Sequence, residues 1–409
     1  MFAGCYKIIH IPNLEKTDQK WYNLLGDNMK RLFIRFLIMI LVVCMSGCGE
    51  TENIVSSVPT QSQPISSQPE TVKTQSKIED RVRTLGRTNI AREGIWLSWS
   101  GSGIEFEFEG SSATVSLVGT LVFGESHQVL MGVFVDGSAT AKKTFTVSDK
   151  GQTVTLCEKL KSGKHTVKLL KLSEAQYGSV CIKDVTADKM KPTENKKLTF
   201  EFIGDSIVCG NGTRAKSSRG EFKTAEQDVS LTMGYLLAEQ YKADARFISA
   251  TNYGIEKFTS GGKLMYDIYG YHAPFLADQV GVGAGEYTSI APADMIFINL
   301  GNDRADKITT DEQRQYFTAE YVKLISFIRE KNPDAEIFIL CGTATYLLEN
   351  EIKAAYEYLK EDKKLHYFRY SFESLLVYSG VSAGFPSAHS NQRMYKELLK
   401  EMKKLGFKP

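Results

Sequence analysis

The chain of 409 residues is 42% hydrophobic and 24% charged, ordinary globular material for one large domain or two smaller ones, which excludes a mostly disordered protein. Its 50 basic and 48 acidic side chains leave a formal net charge of +2. That balance excludes the long-range positive field that gathers nucleic acid, so no nucleic-acid partner is expected.

The apolar residues are unevenly spread. After Met29 come Lys30-Arg31, then an apolar run from Leu32 to Val43 broken only by Arg35, then Cys44-Met45-Ser46-Gly47-Cys48. A basic start, a short apolar stretch and small residues before a cysteine read as an export signal ending in a bacterial lipobox. The run is shorter than the roughly 20 residues a spanning helix needs. Residues 1–47 are therefore expected to be a signal segment with its true start at Met29, and Cys48 the lipidated first residue of a protein held on the outer side of a bacterial membrane. A plain signal peptide or a short anchor helix is the alternative. Residues 48–82 then form a tether rich in Ser, Thr, Gln and Pro, with too little apolar content to bury a core.

From 83 to 192 the pattern is strand after strand. Ile104-Glu105-Phe106-Glu107-Phe108-Glu109 alternates strictly, as does Ala113-Thr114-Val115-Ser116-Leu117. Val129–Val135, Thr153–Leu156 and His165–Leu170 follow, separated by Gly- and Ser-containing turns, and the set predicts a β-sandwich of jelly-roll type. From 198 to 409 the rhythm becomes βα: strands at Leu198–Ile203, Arg246–Ala250, Asp294–Leu300, Ala335–Cys341 and His366–Tyr370 alternate with helices near 228–242, 311–331, 349–360 and 388–404. This predicts an α/β domain, a five-stranded parallel sheet between helical layers, with its ligand site beyond the carboxyl ends of the strands.

The residues after those strand ends carry the candidate chemistry. Gly204-Asp205-Ser206 follows the first strand, Thr251-Asn252-Tyr253-Gly254 the second, and Gly301-Asn302-Asp303 the third. A serine at a strand end can present a nucleophilic hydroxyl, while a glycine N–H and an asparagine amide can meet an oxyanion. Each block alone is weak, since Gly-Asn-Asp after a strand is often only a capped turn. In order at successive strand ends they are stronger. No Cys-x-x-Cys or Cys/His cluster suggests a metal, and no cofactor is expected. Cys157 and Cys181 sit in strand-like segments and could pair or remain buried thiols. Tyr269, Tyr271, Tyr287 and Phe275 could stack on sugar rings, although such aromatics more often pack.

With these blocks in place, residues 198–409 resemble the SGNH, or GDSL-type, hydrolases. The preceding β-region, with Leu85-Gly86-Arg87-Thr88, Ser100-Gly101-Ser102, Asp136-Gly137 and Gly163-Lys164-His165-Thr166-Val167, resembles the jelly-roll domain of carbohydrate esterase family 2. The resemblance implies a serine esterase that deacetylates carbohydrate. Ser206 would be the nucleophile, and its N–H, the Gly254 N–H and the Asn302 side chain the oxyanion hole, with Gly204, Asp205, Gly301 and Asp303 as supporting motif residues. Gly301-Asn302 lacks the intervening residue usual in the family. A larger departure lies in Ser382-Ala383-Gly384-Phe385-Pro386-Ser387-Ala388-His389: Phe385 stands where the resemblance places the catalytic histidine, and Ala383 where its aspartate partner would be. His389, one turn on, is the substitute base, with His272 and His366 weaker candidates. The rival expectation is an impaired relative that keeps the cleft as a surface glycan-binding lipoprotein.

Overall fold

The computed structural model describes residues 77–216, 222–287, 292–371 and 385–409. The expected signal segment, Cys48 and most of the tether lie outside the described residues, as does Ala383.

Eleven short strands build the first region: β1 (Arg83–Leu85), β2 (Thr88–Ala91), β3 (Gly94–Leu97), β4 (Gly103–Glu109), β5 (Ala113–Gly119), β6 (Val129–Val135), β7 (Lys143–Val147), β8 (Gln152–Cys157), β9 (Lys164–Lys171), β10 (Val180–Thr186) and β11 (Lys191–Pro192). They form two antiparallel sheets. One runs β1-β4-β9-β6-β7, with β11 added beside β4, and the other runs β2-β3-β10-β5-β8. The alternation in β4 aims Ile104, Phe106 and Phe108 into a core shared with Val115, Leu117, Val167 and Leu169, while the glutamates between them face outward. Two stacked antiparallel sheets with this inward-outward alternation are the expected sandwich. Cys157 and Cys181 lie on β8 and β10, which β5 separates, and both are free buried thiols.

The second region holds a five-stranded parallel sheet in the order β13-β12-β14-β15-β16, formed by β12 (Leu198–Gly204), β13 (Ala243–Ser249), β14 (Met295–Asn299), β15 (Glu336–Cys341) and β16 (Leu365–Arg369). Both faces are covered, so the strands are apolar nearly throughout. Ile203, Ile248, Ile296 and Ile298 face one side, against α2 (Asp311–Lys331) and α3 (Glu349–Tyr358). Phe200, Phe202, Phe247 and Phe297 face the other, against α1 (Met233–Gln240) and α4 (Ala388–Lys404). Thr310 and Gln313 close a capping box at the start of α2, and Ser387 caps α4. The chain leaves β12 for β13 on one side and then crosses to β14 on the other, so the order in which strands are added reverses at β12 while both pairings stay parallel. That switch point is where open α/β sheets bind ligands.

Both regions belong to one compact unit. Trp99 and Ala175 of the β-region are buried among the isoleucines of one sheet face, and Leu85, Leu130, Phe134 and Leu170 among the phenylalanines of the other. Gly101 marks how close this approach is: it adopts φ +71°, and a Cβ there would stand 2.7 Å from the Phe247 ring.

Candidate active site

Ser206, Gly254, Asn302 and Asp303 follow β12, β13 and β14 at the switch point, as the sequence order requires. Gly204 is needed there for space: a Cβ would meet Val208 at 2.3 Å and the Asn299 carbonyl at 2.7 Å. Beyond it the chain coils at once into turns, with Asn211 N–H donating to the Ser206 carbonyl at 3.1 Å and Cys209 N–H to the Asp205 carbonyl at 3.1 Å.

The Ser206 side chain is held by a carboxylate. Its hydroxyl donates to Asp303 Oδ1 at 2.7 Å, and Asp303 Oδ2 accepts the Asn252 backbone N–H at 3.1 Å. Asp205 is the second acid of the site. Its Oδ1 accepts the Ile207 N–H at 3.2 Å, and its Oδ2 accepts both the backbone N–H and the Nδ2 of Asn302 at 3.3 Å. Burial, and next the charge of Asp303, push the Asp205 carboxyl well above the usual carboxylate range, while these N–H donors pull the other way.

The expected oxyanion donors are differently engaged. Gly254 lines the small space at the strand ends together with Asp205, Asn252, Tyr253 and Asp303, but its N–H donates to the Lys263 carbonyl at 3.0 Å. The Asn302 amide is divided between Asp205 and the Asn299 side chain, at 3.3 and 3.0 Å, and its own oxygen accepts from Thr343. Among the described residues only the Ser206 N–H, of the three donors, has no hydrogen-bond partner. The hydroxyl is not presented to solvent, as the strand-end position suggested: Ser206 is fully buried. The neighbouring space has a volume of about 10 Å³, room for about one water. Among the described residues, that space is too small to hold an ester.

No described histidine meets Ser206. His389 is exposed in the first turn of α4, and Phe385 is half-buried just before it. His366 bonds Glu336 at 2.7 Å and stacks on Phe338, near the start of β16 and so at the opposite end of the sheet. His272 packs against Tyr287, and burial lowers its pKa. His165 pairs with Asp136 at 2.8 Å, and His127 stacks on Tyr177. Among the described residues no group of three or more His, Cys, Asp or Glu is arranged to hold a metal.

Of the aromatic candidates, Tyr269, Tyr271 and Tyr287 line a cavity of about 830 Å³ away from Ser206, and Tyr269, Tyr287 and Phe275 also pack within the fold. Tyr269 is buried and donates its hydroxyl to Glu201 at 2.7 Å, while Tyr269 and Tyr287 sandwich the Arg87 guanidinium, their ring centroids 4.7 and 4.4 Å from its carbon. Phe275 packs edge-on against Trp99 and Tyr253.

A polar network behind the site carried no sequence signal. Glu174 Oε2 accepts the Thr251 N–H and hydroxyl, both at 2.9 Å, and Asn211 Nδ2 reaches the same hydroxyl at 2.9 Å. Lys171 beside it is fully buried, donating to the carbonyls of Ser173 and Glu174 at 2.7 and 2.9 Å, and burial pushes its pKa down to about 7. Through these residues the β-region fixes the turn that follows β13.

An antiparallel β-sandwich packed on a five-stranded parallel sheet, with a serine at the switch point, defines an SGNH-like hydrolase fold. Residues 84–196 match the family described as Carbohydrate esterase 2 N-terminal. The chain is 28% identical over 325 residues to the cellulase/esterase CelE of Acetivibrio thermocellus, covering 76% of this chain but only 38% of that protein. It is 22% identical over 391 residues to an acetylxylan esterase / glucomannan deacetylase of Cellvibrio japonicus, covering 92% of this chain and 99% of the relative. Among solved structures, a family two carbohydrate esterase from Clostridium thermocellum in complex with cellohexaose matches 80% of this chain and 99% of its own, with TM-score 0.69 and 24% identity, a likeness of fold. The chain is thus similar in sequence to these esterases, its β-region to the Carbohydrate esterase 2 N-terminal family, and it shares the fold of the family two structure.

Proposed function

We propose that the chain is a serine esterase that removes acyl groups, acetyl first among them, from carbohydrate. The observation that carries the reading is the Ser206 hydroxyl at the switch point, its proton directed at a fixed carboxylate 2.7 Å away. The acetylxylan esterase and cellulase/esterase relatives supply the substrate class. The test is release of acetate from acetylated xylan and from an aryl acetate. Native protein is expected to release it and Ser206→Ala to lose at least about 10³-fold, as expected when the nucleophile of an acyl-transfer site is removed; equal release by both would overturn the reading.

A second reading has its own support: a surface glycan-binding relative with an impaired site. Ser206 is buried, no described histidine reaches it, and the Gly254 and Asn302 donors are engaged elsewhere. Micromolar or tighter binding of xylan fragments without acetate release would establish it, and acetate release gained by Phe385→His would mark the site as decayed.

The location is also a proposal. The Leu32–Val43 run and the cysteine at 48 favour an exported protein anchored through lipid on Cys48, its tether holding the folded unit off the membrane. Radiolabelled palmitate is expected to enter the native chain expressed in a bacterium and not Cys48→Ser; equal labelling of both would exclude that anchor.

A further inference from the structure

Each of the histidines in the described residues is committed elsewhere or exposed away from the nucleophile, yet Ser206 is not without a base. Asp303 Oδ1 accepts its hydroxyl proton at 2.7 Å, the distance of a charge-assisted O–H···O bond and within general-base reach. The Asn252 N–H grips the other oxygen at 3.1 Å and fixes the carboxylate plane. The remaining titratable side chains lining the same space are Asp205 and Tyr253. Burial raises the pKa of both, as does the charge of Asp303 for Asp205, which favours the neutral form of each. The divided roles follow from surroundings: Asp205 is fully enclosed, whereas Asp303 is half-buried beside solvent.

We propose that Asp303 is the general base of the site, replacing the histidine that the chain lacks at position 385. The inference rests on the esterase reading. As Ser206 Oγ bonds to the ester carbonyl carbon, its proton passes to Asp303 Oδ1. When the carbon–oxygen bond to the sugar breaks, that proton passes to the departing alkoxide, leaving an acyl-serine and a free sugar hydroxyl. Water then attacks the acyl carbon and gives a proton to Asp303. The bond from Ser206 Oγ to the acyl carbon breaks, Oγ takes the proton back, and the carboxylic acid leaves. No metal or redox partner enters the balance.

A carboxylate is a weaker base than an imidazole, by roughly 2–3 pKa units in their ordinary forms. Its signature is therefore the pH profile. With the full chain and an aryl acetate, kcat/KM is expected to show no fall as pH is lowered through about 6.5, where an imidazole base would lose its action. Asp303→Asn is expected to lower kcat/KM by about 10²–10⁴-fold, the usual worth of a general base, and His389→Ala to change it less than twofold. A fall near pH 6.5, or loss of activity in His389→Ala, would overturn the assignment in favour of a displaced histidine. The native profile decides the matter even if Asp303→Asn folds poorly.

A fluorophosphonate separates this inference from the reading beneath it, because its phosphorus traps an activated serine, with fluoride leaving, whatever the natural substrate. Labelling of Ser206 that depends on Asp303, without acetate release, would keep the base and discard the substrate class. Labelling unchanged in Asp303→Asn would discard the base and leave the esterase reading to the acetate assay. No labelling of the native chain would overturn both.

Discussion

Two buried charge sites lie along the same strand, β12, and they are built on opposite principles. Near its middle, Glu201 meets Arg87 of the β-region, Nη2 to Oε2 at 3.0 Å, with both side chains wholly enclosed. Tyr269 donates to the other carboxylate oxygen, the second guanidinium nitrogen donates to the Tyr269 carbonyl, and two rings cover the faces. Just past the end of the strand, Asp205 and Asp303 set two acids of like sign around a serine. The first site neutralises charge and joins two regions. The second brings two acids together: burial, and next the charge of Asp303, raise the Asp205 pKa, and Asp303 faces a hydroxyl. Enclosed opposite charges serve the fold, and neighbouring like charges make a place where a proton can move.

The largest effect should come from breaking the opposite-charge site. Arg87→Ala leaves Glu201 buried with only a tyrosine hydroxyl to compensate it, and removing one partner of a buried pair costs about 3–5 kcal/mol. A urea-unfolding midpoint should fall accordingly. Arg87→Met combined with Glu201→Leu, which removes both charges and keeps volume, should recover most of that loss. If Arg87→Ala unfolds at the native midpoint, the pair is not what joins the regions. Asp303→Asn should show the reverse pattern, with activity lost and the midpoint little changed.

The same contrast explains what could be read from the chain alone. Regular elements were legible because periodicity is a local property: Val129–Val135, Asp311–Lys331 and Ala388–Lys404 run as expected. The strands missed were those too short to show a period, such as Arg83–Leu85, Thr88–Ala91 and Gly94–Leu97. At the site, order along the chain predicted which residues gather at the strand ends. It could not predict how their hydrogens are shared, so the commitments of Gly254 and Asn302 and the Ser206–Asp303 bond emerged only from three-dimensional packing. Arg87 was hidden for the same reason, since an arginine in a turn between two short strands looks like any solvated one.

A smaller effect, in pH rather than in contacts, sharpens the comparison. Asp205 has its pKa raised in the folded state, so above the ordinary carboxylate range of about 4 the native protein holds a proton that the unfolded chain has released. Stability must then fall as pH rises from there toward neutrality, by at most about 1.4 kcal/mol per pH unit for one proton. Lys171 acts with the opposite sign in the next window. Its pKa is lowered to about 7, so between about 7 and the ordinary lysine value near 10.4 the unfolded chain holds the extra proton and stability rises with pH. In thermal midpoints measured from pH 4 to pH 9, Glu174 and Asp228, whose pKa values burial also raises, add to the acidic limb with the sign of Asp205. Relative to the native curve, Asp205→Asn should make the acidic limb less steep and Lys171→Met should remove a rising contribution above about pH 7. Either substitution also shifts the whole curve, through the N–H groups that lose the Asp205 acceptor or the carbonyls that lose the Lys171 donor. The slope reports the proton and the offset reports the hydrogen bonds. An acidic limb that keeps its slope in Asp205→Asn would show that the like-charge pair does not hold the extra proton, and the contrast between the two ends of β12 would then reduce to burial alone.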